Sequence, residues 1–252
     1  MIFYVKVLSR KKMKPKIAYI TGTSSGIGHA LALKLLNENY FVIGLGRSNN
    51  IKHSNYEFIS LDLRKADVVQ NFNFKQIPAT ERVLINNSGM LGDVLPVGEL
   101  SSNIISDVMN VNTIAPQILI NTFIQTFANQ NGSLHILNIS SGAGKRAIDA
   151  WATYCASKAA LDIFSETVKL EMELREKKNF SIHSVAPGVV DTQMQDRIRA
   201  ASPEKFKMSQ KFHDLKNNNE LISADFVAEK LMHLIQYPKN YPNNIMSLSD
   251  IS

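Results

Sequence analysis

Short, continuously apolar runs alternate with longer amphipathic segments along most of this chain, and that alternation restricts its possible folds more than any other feature. Runs that are apolar throughout are typical of strands in a parallel sheet covered by helices on both faces. The apolar runs predict strands at 17–21, 41–45, 56–61, 82–85, 133–139 and 180–186, with a short last strand at 244–249. The amphipathic segments predict helices at 27–37, within 100–128, at 154–177 and at 224–236.

The length and the composition favour one domain. The chain has 252 residues, of which 44% are hydrophobic, and no stretch has the Pro, Gly and Ser content of a linker. We therefore predict a single doubly wound α/β domain, a parallel sheet with helices on both faces, over residues 16–252. The one cysteine, Cys155, excludes an internal disulfide and fits the reducing cytoplasm. No apolar run is long enough to span a membrane.

Positive charge is concentrated at the start of the chain. Lys and Arg number 28 against 22 Asp and Glu, a net charge of +6, and the first 16 residues hold six of the bases and no acid. Without those six the chain has 22 bases and 22 acids, so its body is neutral. We therefore expect no nucleic-acid partner and no membrane partner. The basic leader, residues 1–15, is expected to be a disordered tail or an upstream extension, since Met13 offers a second translation start.

A glycine-rich turn links the first predicted strand to the first predicted helix. It reads Thr-Gly-Thr-Ser-Ser-Gly-Ile-Gly over residues 21–28. Glycines here let the backbone turn tightly against a pyrophosphate, and the helix start offers free N–H groups and the positive end of its dipole. The motif predicts a dinucleotide site in preference to a plain structural turn. Its candidate contacts are Gly22, Ser24, Ser25, Gly26, Ile27 and Gly28.

The end of the second predicted strand favours NADP over NAD. An NAD site usually has an acid about 20 residues after the glycines, which accepts a hydrogen bond from the ribose 2′-hydroxyl. Gly46 occupies that place, and no acid lies within residues 41–52. Arg47 and Ser48 follow, and a guanidinium can hold a 2′-phosphate with two hydrogen bonds. The alternative is that Arg47 is a solvated surface residue.

Several polar positions later in the chain are candidates for chemistry. Residues 86–89, Asn-Asn-Ser-Gly, follow the fourth strand where ligands bind in this architecture, although they also suit an ordinary turn. Ser141 follows the fifth strand and can hydrogen-bond a substrate oxygen. Tyr154 and Lys158 are four residues apart and share one helical face. A buried ammonium beside a phenol is expected to lower the tyrosine pKa and so make the tyrosine a usable acid or base.

Together these motifs resemble the short-chain dehydrogenase/reductase family in their order and spacing, from about residue 16 to the C-terminus. The match comprises the glycine turn, residues 86–89, Ser141, residues 154–158 (Tyr-Cys-Ala-Ser-Lys) and the Pro-Gly pair at 187–188. The resemblance implies a Rossmann-type fold and the nicotinamide-dependent interconversion of an alcohol and a carbonyl.

The resemblance also implies a role for individual residues. Tyr154 would donate a proton to the carbonyl oxygen, Lys158 would bind the nicotinamide ribose and tune the tyrosine, and Ser141 would hold the carbonyl. Asn112 would hold a water that links Lys158 to solvent. The implied cofactor contacts beyond the glycine turn are Arg47, Ser48, Asp62, Leu63, Asn87, Gly89, Tyr154, Lys158, Pro187, Gly188, Val190 and Thr192.

Two positions depart from the family pattern. Ser88 stands where the family usually has alanine, which adds one hydroxyl. Ser25 stands where many NADP-using members carry a base. The prediction of NADP(H) as the cofactor therefore depends on Arg47 and on the missing acid.

Two less generic segments are similar to the branch of this family that contains the sepiapterin and benzil reductases. They are residues 151–155 (Trp-Ala-Thr-Tyr-Cys) and 187–195 (Pro-Gly-Val-Val-Asp-Thr-Gln-Met-Gln). That branch reduces ketones and vicinal dicarbonyls with NADPH, and residues near 193–222 would form its mobile substrate lid. Trp151 and Met194 are the candidate pocket residues, and ordinary packing is the alternative for both.

The sequence therefore predicts an NADPH-dependent carbonyl reductase for ketones or vicinal dicarbonyls, without a metal. The alternative is a non-catalytic NADP(H)-sensing regulator on the same fold, although such proteins often lack the tyrosine or the lysine. The expected partners are a small-molecule carbonyl substrate and, by resemblance, a second copy of the chain. In such a homodimer the helices within 100–128 and at 154–177 would pair with those of the partner.

Overall fold

The structure, a computed structural model, describes residues 16–252, so the predictions for the basic leader lie outside the described residues. Its strands are β1 Lys16–Thr21, β2 Tyr40–Gly46, β3 Tyr56–Ser60, β4 Glu81–Asn86, β5 Ser133–Ile139, β6 Phe180–Ala186 and β7 Ile245–Ser247. They form one sheet in the order β3-β2-β1-β4-β5-β6-β7, and every neighbouring pair is parallel. The predicted doubly wound α/β fold is confirmed.

Helices cover both faces of the sheet. They are α1 Gly26–Asn37, α2 Ala66–Gln70, α3 Ser102–Met109, α4 Ala115–Phe127, α5 Ala152–Leu174, α6 Gln193–Arg199, α7 Ser209–Asn217 and α8 Ala224–Gln236. Successive strand side chains point to opposite faces. In β1, Ala18 therefore packs in a core shared with α1 and α8, whereas Ile17 packs in a second core shared with α4 and α5. The continuous apolar runs of the sequence follow from this coverage of both faces.

The long helix predicted within 100–128 is divided into two. The helix α3 ends at Met109, α4 begins at Ala115, and a π-helical turn over Asn110–Ile114 joins them. Asn112 is fully buried in this turn, where its Nδ2 donates to the Met90 carbonyl (2.8 Å) and to Ser157 Oγ (3.0 Å). The apolar periodicity continues across the turn, so the sequence pattern shows no division. Such turns are rare and occur frequently at functional sites.

Three smaller differences concern the ends of two elements and the presence of one more helix. The helix α5 begins at Ala152 and ends at Leu174 rather than spanning 154–177, because the chain leaves the helix through a left-handed residue, Glu176, with φ of 54°. The strand β7 ends at Ser247, where a short 3₁₀ turn follows. The helix α2 has only five residues and was not predicted.

Candidate active site

A cleft of about 540 Å³ opens at the carboxyl edge of the sheet. Segments that follow strands β1 to β6 form its walls, which is where ligands bind in open parallel sheets. The predicted site residues that line it are Gly22, Ser24, Ser25, Gly26, Ile27, Arg47, Ser48, Asp62, Leu63, Asn87, Gly89, Ser141, Tyr154, Lys158, Pro187, Gly188, Val190, Thr192 and Met194. Gly28, Asn112 and Trp151 are not part of this lining.

The glycine turn packs directly against the segment that follows β4. Gly22 has φ of +75°, and a Cβ atom there would lie 2.7 Å from Ser88 Oγ. A Cβ atom on Gly28 would lie only 2.2 Å from both Asn87 Nδ2 and the Gly22 carbonyl oxygen. Ser25 precedes α1 without a capping hydrogen bond from its side chain. The first N–H groups of α1 therefore stay available to an anion.

Asn87 shapes the glycine turn as well as lining the cleft. Its Nδ2 donates to the carbonyl oxygens of Thr21 (2.9 Å) and Gly22 (3.0 Å). In return, Thr21 Oγ1 accepts from the backbone N–H groups of Asn87 and Ser88, both at 3.0 Å. These bonds fix the ends of β1 and β4 relative to each other at the floor of the cleft.

Arg47, Ser48, Asp62 and Leu63 lie together at one end of the cleft, because β2 and β3 are paired there. Arg64, which the sequence analysis missed, lines the same end and forms an ion pair with Asp62 at 2.6 Å. Hydrogen bonding to Arg64 lowers the pKa of Asp62 to about 2. The Asp-Leu-Arg spacing was the available signal, since it lets the two side chains meet across a tight turn.

Ser141, Tyr154 and Lys158 meet on the opposite part of the cleft wall. Ser141 precedes a short 3₁₀ turn, and its Oγ accepts from the Ala143 N–H (3.2 Å). Lys158 Nζ donates to the Ile139 carbonyl oxygen (2.8 Å) and lies 5.9 Å from the centroid of the Tyr154 ring. The end of β5 and one face of α5 thus bring together a hydroxyl, a phenol and an ammonium.

Burial controls the protonation of this group. It raises the pKa of Tyr154, and the nearby Ser141 hydroxyl only partly opposes that rise. It also lowers the pKa of Lys158 to about 8, against the attraction of Asp162. The prediction that Lys158 lowers the tyrosine pKa is wrong for the protein without cofactor, because loss of hydration of the phenolate is the largest influence and Lys158 is not among the groups that shift this pKa.

Asp162 is a second residue that the sequence analysis missed. It lies one helical turn after Lys158, is 9% exposed, and accepts a hydrogen bond from Ser184 Oγ (2.6 Å). An acid four residues after a candidate lysine was a readable signal, since both share one helical face. A buried carboxylate close to Lys158 favours the charged form of that lysine.

Asn112 and Lys158 approach the cleft wall from behind Gly89. A Cβ atom on Gly89 would lie 3.8 Å from Lys158 Nζ and 3.9 Å from Asn112 Oδ1. The Asn112 side chain already binds Ser157 and both backbone groups of Met90. Its structural role is therefore clear, and its role in holding a water stays a prediction.

The aromatic cluster beside Tyr154 lies under the predicted lid. The Trp151 ring stacks on Phe206 (5.5 Å between centroids) and meets Tyr154 edge-on (5.7 Å). Trp151 thus supports the tyrosine from the core, whereas Met194, on α6, lines the cleft itself. The predicted lid region comprises α6, α7 and the segment between them, which contributes Phe206.

Residues 16–252 contain neither a candidate metal site nor a candidate membrane span. No group of three or more His, Cys, Asp or Glu side chains in this range is arranged to hold a metal ion. No helix in the same range has both the length and the apolar character needed to cross a membrane.

Known proteins resemble this chain in sequence and in fold. A family model described as short chain dehydrogenase matches residues 16–203. A benzil reductase ((S)-benzoin forming) from Bacillus cereus is 34% identical over 232 residues, which cover 86% of this chain and 92% of the relative. Sepiapterin reductase from Rattus norvegicus is 29% identical over 245 residues, with coverage of 87% and 91%.

A solved structure agrees with the fold. The crystal structure of a short-chain dehydrogenase/reductase from Saccharomyces cerevisiae has a TM-score of 0.77 at 24% identity, and the match covers 94% of this chain and 99% of that one. The family model spans most of the chain, and the bacterial relative exceeds 30% identity over nearly all of it. This protein belongs to the short-chain dehydrogenase/reductase family, whose enzymes interconvert CH–OH and C=O groups.

Proposed function

We propose that this protein is an NADPH-dependent carbonyl reductase that acts on ketones or vicinal dicarbonyls. The observation that carries the proposal is the convergence of Ser141, Tyr154 and Lys158 in the same cleft as the glycine turn and Arg47. The cofactor and the substrate would then bind side by side in one cleft. The start of the helix would bind the anionic part of the cofactor, while the proton donor and the hydrogen-bond donor would act on the substrate carbonyl.

The chemistry of the cleft fits a nicotinamide dinucleotide. The uncapped N–H groups at the start of α1 would hold the pyrophosphate, and Arg47 with Ser48 would hold the 2′-phosphate. Lys158 would bind the nicotinamide ribose, and residues 187–192 would pack on the carboxamide. When bound, NADPH supplies the hydride for the carbonyl carbon.

The protein contributes a positioned proton. Because burial raises its pKa, the Tyr154 phenol is protonated at neutral pH, as a general acid for carbonyl reduction must be. The Ser141 hydroxyl would donate to the same substrate oxygen as negative charge develops on it. Lys158 is charged below about pH 8 and would stabilise the phenolate that remains after proton transfer. Asn112 would hold the water that links Lys158 to solvent, and Tyr154 would regain its proton by that route.

The relatives support the substrate class. They include a benzil reductase and a sepiapterin reductase, and the two matches cover 86% and 87% of this chain. Met194 is an apolar wall residue of the cleft, and Trp151 holds Tyr154 from behind. An apolar wall beside the proton donor suits aromatic or aliphatic ketones and diketones.

A spectrophotometric assay tests the proposal. The protein with NADPH and benzil should consume the absorbance of reduced nicotinamide, and Tyr154→Phe should lower kcat by about 100-fold or more. Tyr237→Phe, at an exposed tyrosine, is the matched control and should retain activity. Identical behaviour of wild type and Tyr154→Phe across a broad carbonyl panel would exclude the proposed mechanism. Tight NADPH binding without any turnover would favour the sensing alternative.

We also propose a homodimer in the cytoplasm. Ile163, Leu170 and Leu174 are 60%, 56% and 76% exposed on α5, at spacings that place them on one face. Such a stripe supports pairing of α5 with the same helix of a second copy. Sedimentation equilibrium should give twice the mass of one chain, and a monomer at micromolar concentration would contradict the proposal. The lone Cys155 supports the location in a reducing compartment.

A further inference from the structure

We propose that Arg64 determines cofactor specificity by neutralising Asp62, so that the 2′-phosphate of NADPH meets no uncompensated negative charge in the cleft. This inference rests on the proposed preference for NADPH and assigns to Arg64 a role that no motif of the sequence indicated. Arg64 would act on the cofactor through Asp62 rather than by direct contact, and it is therefore a positioning residue.

The side chains of Arg64 and Asp62 form a bidentate ion pair. Arg64 Nε lies 3.0 Å from Asp62 Oδ1, and Arg64 Nη2 lies 2.6 Å from Oδ2, so the guanidinium grips both carboxylate oxygens. The backbone N–H of Arg64 also donates to Asp62 Oδ1 at 3.1 Å. Two-pronged contacts of this kind fix the orientation of both side chains.

The backbone that carries the pair is held at two points. The Leu61 N–H donates to the Gly46 carbonyl oxygen (2.8 Å), so Arg47 and Asp62 both leave the sheet one residue after this bond. Asn110 Nδ2, from the π-helical turn, donates to the Arg64 carbonyl oxygen (3.0 Å). The carboxylate is thereby placed next to the residue predicted to hold the 2′-phosphate, and Arg47 lies near enough to act on it electrostatically.

The charges explain why this carboxylate needs a partner. Asp62 is the one acid among the described residues that line the cleft, where Arg47, Arg64, Lys158 and Arg197 are the bases. With a pKa of about 2, Asp62 is ionised at every pH at which an enzyme works, so protonation cannot remove its charge. An unpaired carboxylate would repel a phosphate that NADPH carries and NADH lacks. Asp107 also acts on Arg64 from α3, but it is not part of the cleft lining.

Calorimetric titration with NADPH and with NADH tests the inference through binding rather than turnover. In Arg64→Gln the ratio of Kd for NADPH to Kd for NADH should rise roughly five- to tenfold, because only the phosphorylated cofactor meets the exposed charge of Asp62. Lys65→Gln removes the same charge from the next residue, which is exposed and outside the cleft lining, and should leave the ratio within about twofold.

The double variant Asp62→Asn/Arg64→Gln separates neutralisation from direct contact. It should return the ratio to the value of Asp62→Asn alone, since no charge then remains to be neutralised. A ratio that stays as high as in Arg64→Gln would overturn the inference and show that Arg64 binds the phosphate directly. An unchanged ratio in Arg64→Gln, in a wild type that does prefer NADPH, would also overturn it. Equal affinity of the wild type for both cofactors would instead overturn the proposed NADPH preference, and this inference with it.

Discussion

Two buried groups in the active site are each held toward their neutral form. Burial raises the pKa of Tyr154 and lowers that of Lys158 to about 8. The phenol is then protonated at neutral pH, as the proposed proton donor must be, while the lysine pKa lies only about one unit above neutrality. Asp162 keeps the pKa of Lys158 from falling further, because a carboxylate one helical turn away favours the ammonium form.

Asp162→Asn should shift the upper limb of the pH profile to lower pH. Lys158 is charged below its pKa of about 8, so kcat/KM for carbonyl reduction should fall as pH rises through that region. Removing the Asp162 charge lowers the lysine pKa further, and activity should then be lost nearer to neutrality. The measurement is kcat/KM between pH 6 and about 9.5.

Ser184→Ala is the control for that experiment. It removes the hydrogen bond to Asp162 but leaves the carboxylate charge in place. Its profile should keep the wild-type midpoint, even where stability declines. A midpoint that is the same in Asp162→Asn as in the wild type would show that Asp162 serves packing alone.

At the scale of elements, the contact between α1 and the segment after β4 shapes the proposed phosphate site. Gly28 has no room for a Cβ atom, since Asn87 Nδ2 and the Gly22 carbonyl oxygen would both lie 2.2 Å from it. One of these neighbours is backbone, so the contact can be relieved only by moving α1 away from β1. A methyl group at residue 28 is therefore expected to displace α1 as a unit.

Gly28→Ala should lower stability by about 1–3 kcal/mol through overpacking and weaken NADPH binding by displacing the start of α1. Gly142→Ala is the matched control, because a Cβ atom at Gly142 meets nothing within 4 Å. Thermal melting and calorimetric titration with NADPH give the two readouts. Equal melting temperatures for the two variants would show that α1 tolerates the extra methyl group.

At the scale of the whole molecule, two histidines lie in the central strands of the sheet, His183 buried and His135 half-buried. His135, on β5, pairs with Ser181 Oγ (2.7 Å), and His183, on β6, pairs with the Tyr241 carbonyl oxygen (2.9 Å). Burial lowers the pKa of both. Both are therefore neutral in the folded protein over a range of pH in which an unfolded chain would protonate them.

The free energy of unfolding should consequently fall as the solution is acidified below about pH 6.5, the usual histidine pKa. Above that pH neither state binds the extra protons, and below it the unfolded state gains them first. The slope should reach at most about 1.4 kcal/mol per pH unit for each histidine. Urea unfolding between pH 5 and about 8 measures it. His183→Gln should reduce the slope, and a slope equal to that of the wild type would contradict the prediction.

Much of the fold and of the candidate site could be predicted from local sequence patterns. Continuous apolar runs predicted the covered parallel sheet, and the sheet order confirmed it. The glycine turn and the Tyr154/Lys158 pair indicated the family, which the family model confirms over residues 16–203. These features are readable because each depends on residues close in the chain: a turn of eight residues, one helical face, one strand.

Only the tertiary structure decided the electrostatics of the site. The pKa of Tyr154 depends on how much water the fold removes from the phenol, and no spacing in the sequence contains that quantity. In the π-helical turn, the Asn112 side chain is held by hydrogen bonds to Met90 and Ser157, which are distant in sequence. The proposed role of Arg64 depends on the pairing of β2 with β3, which brings Asp62 and Arg47 to the same end of the cleft. The sequence by itself determined which groups the site contains, and long-range packing determined their distances, hydration and charge.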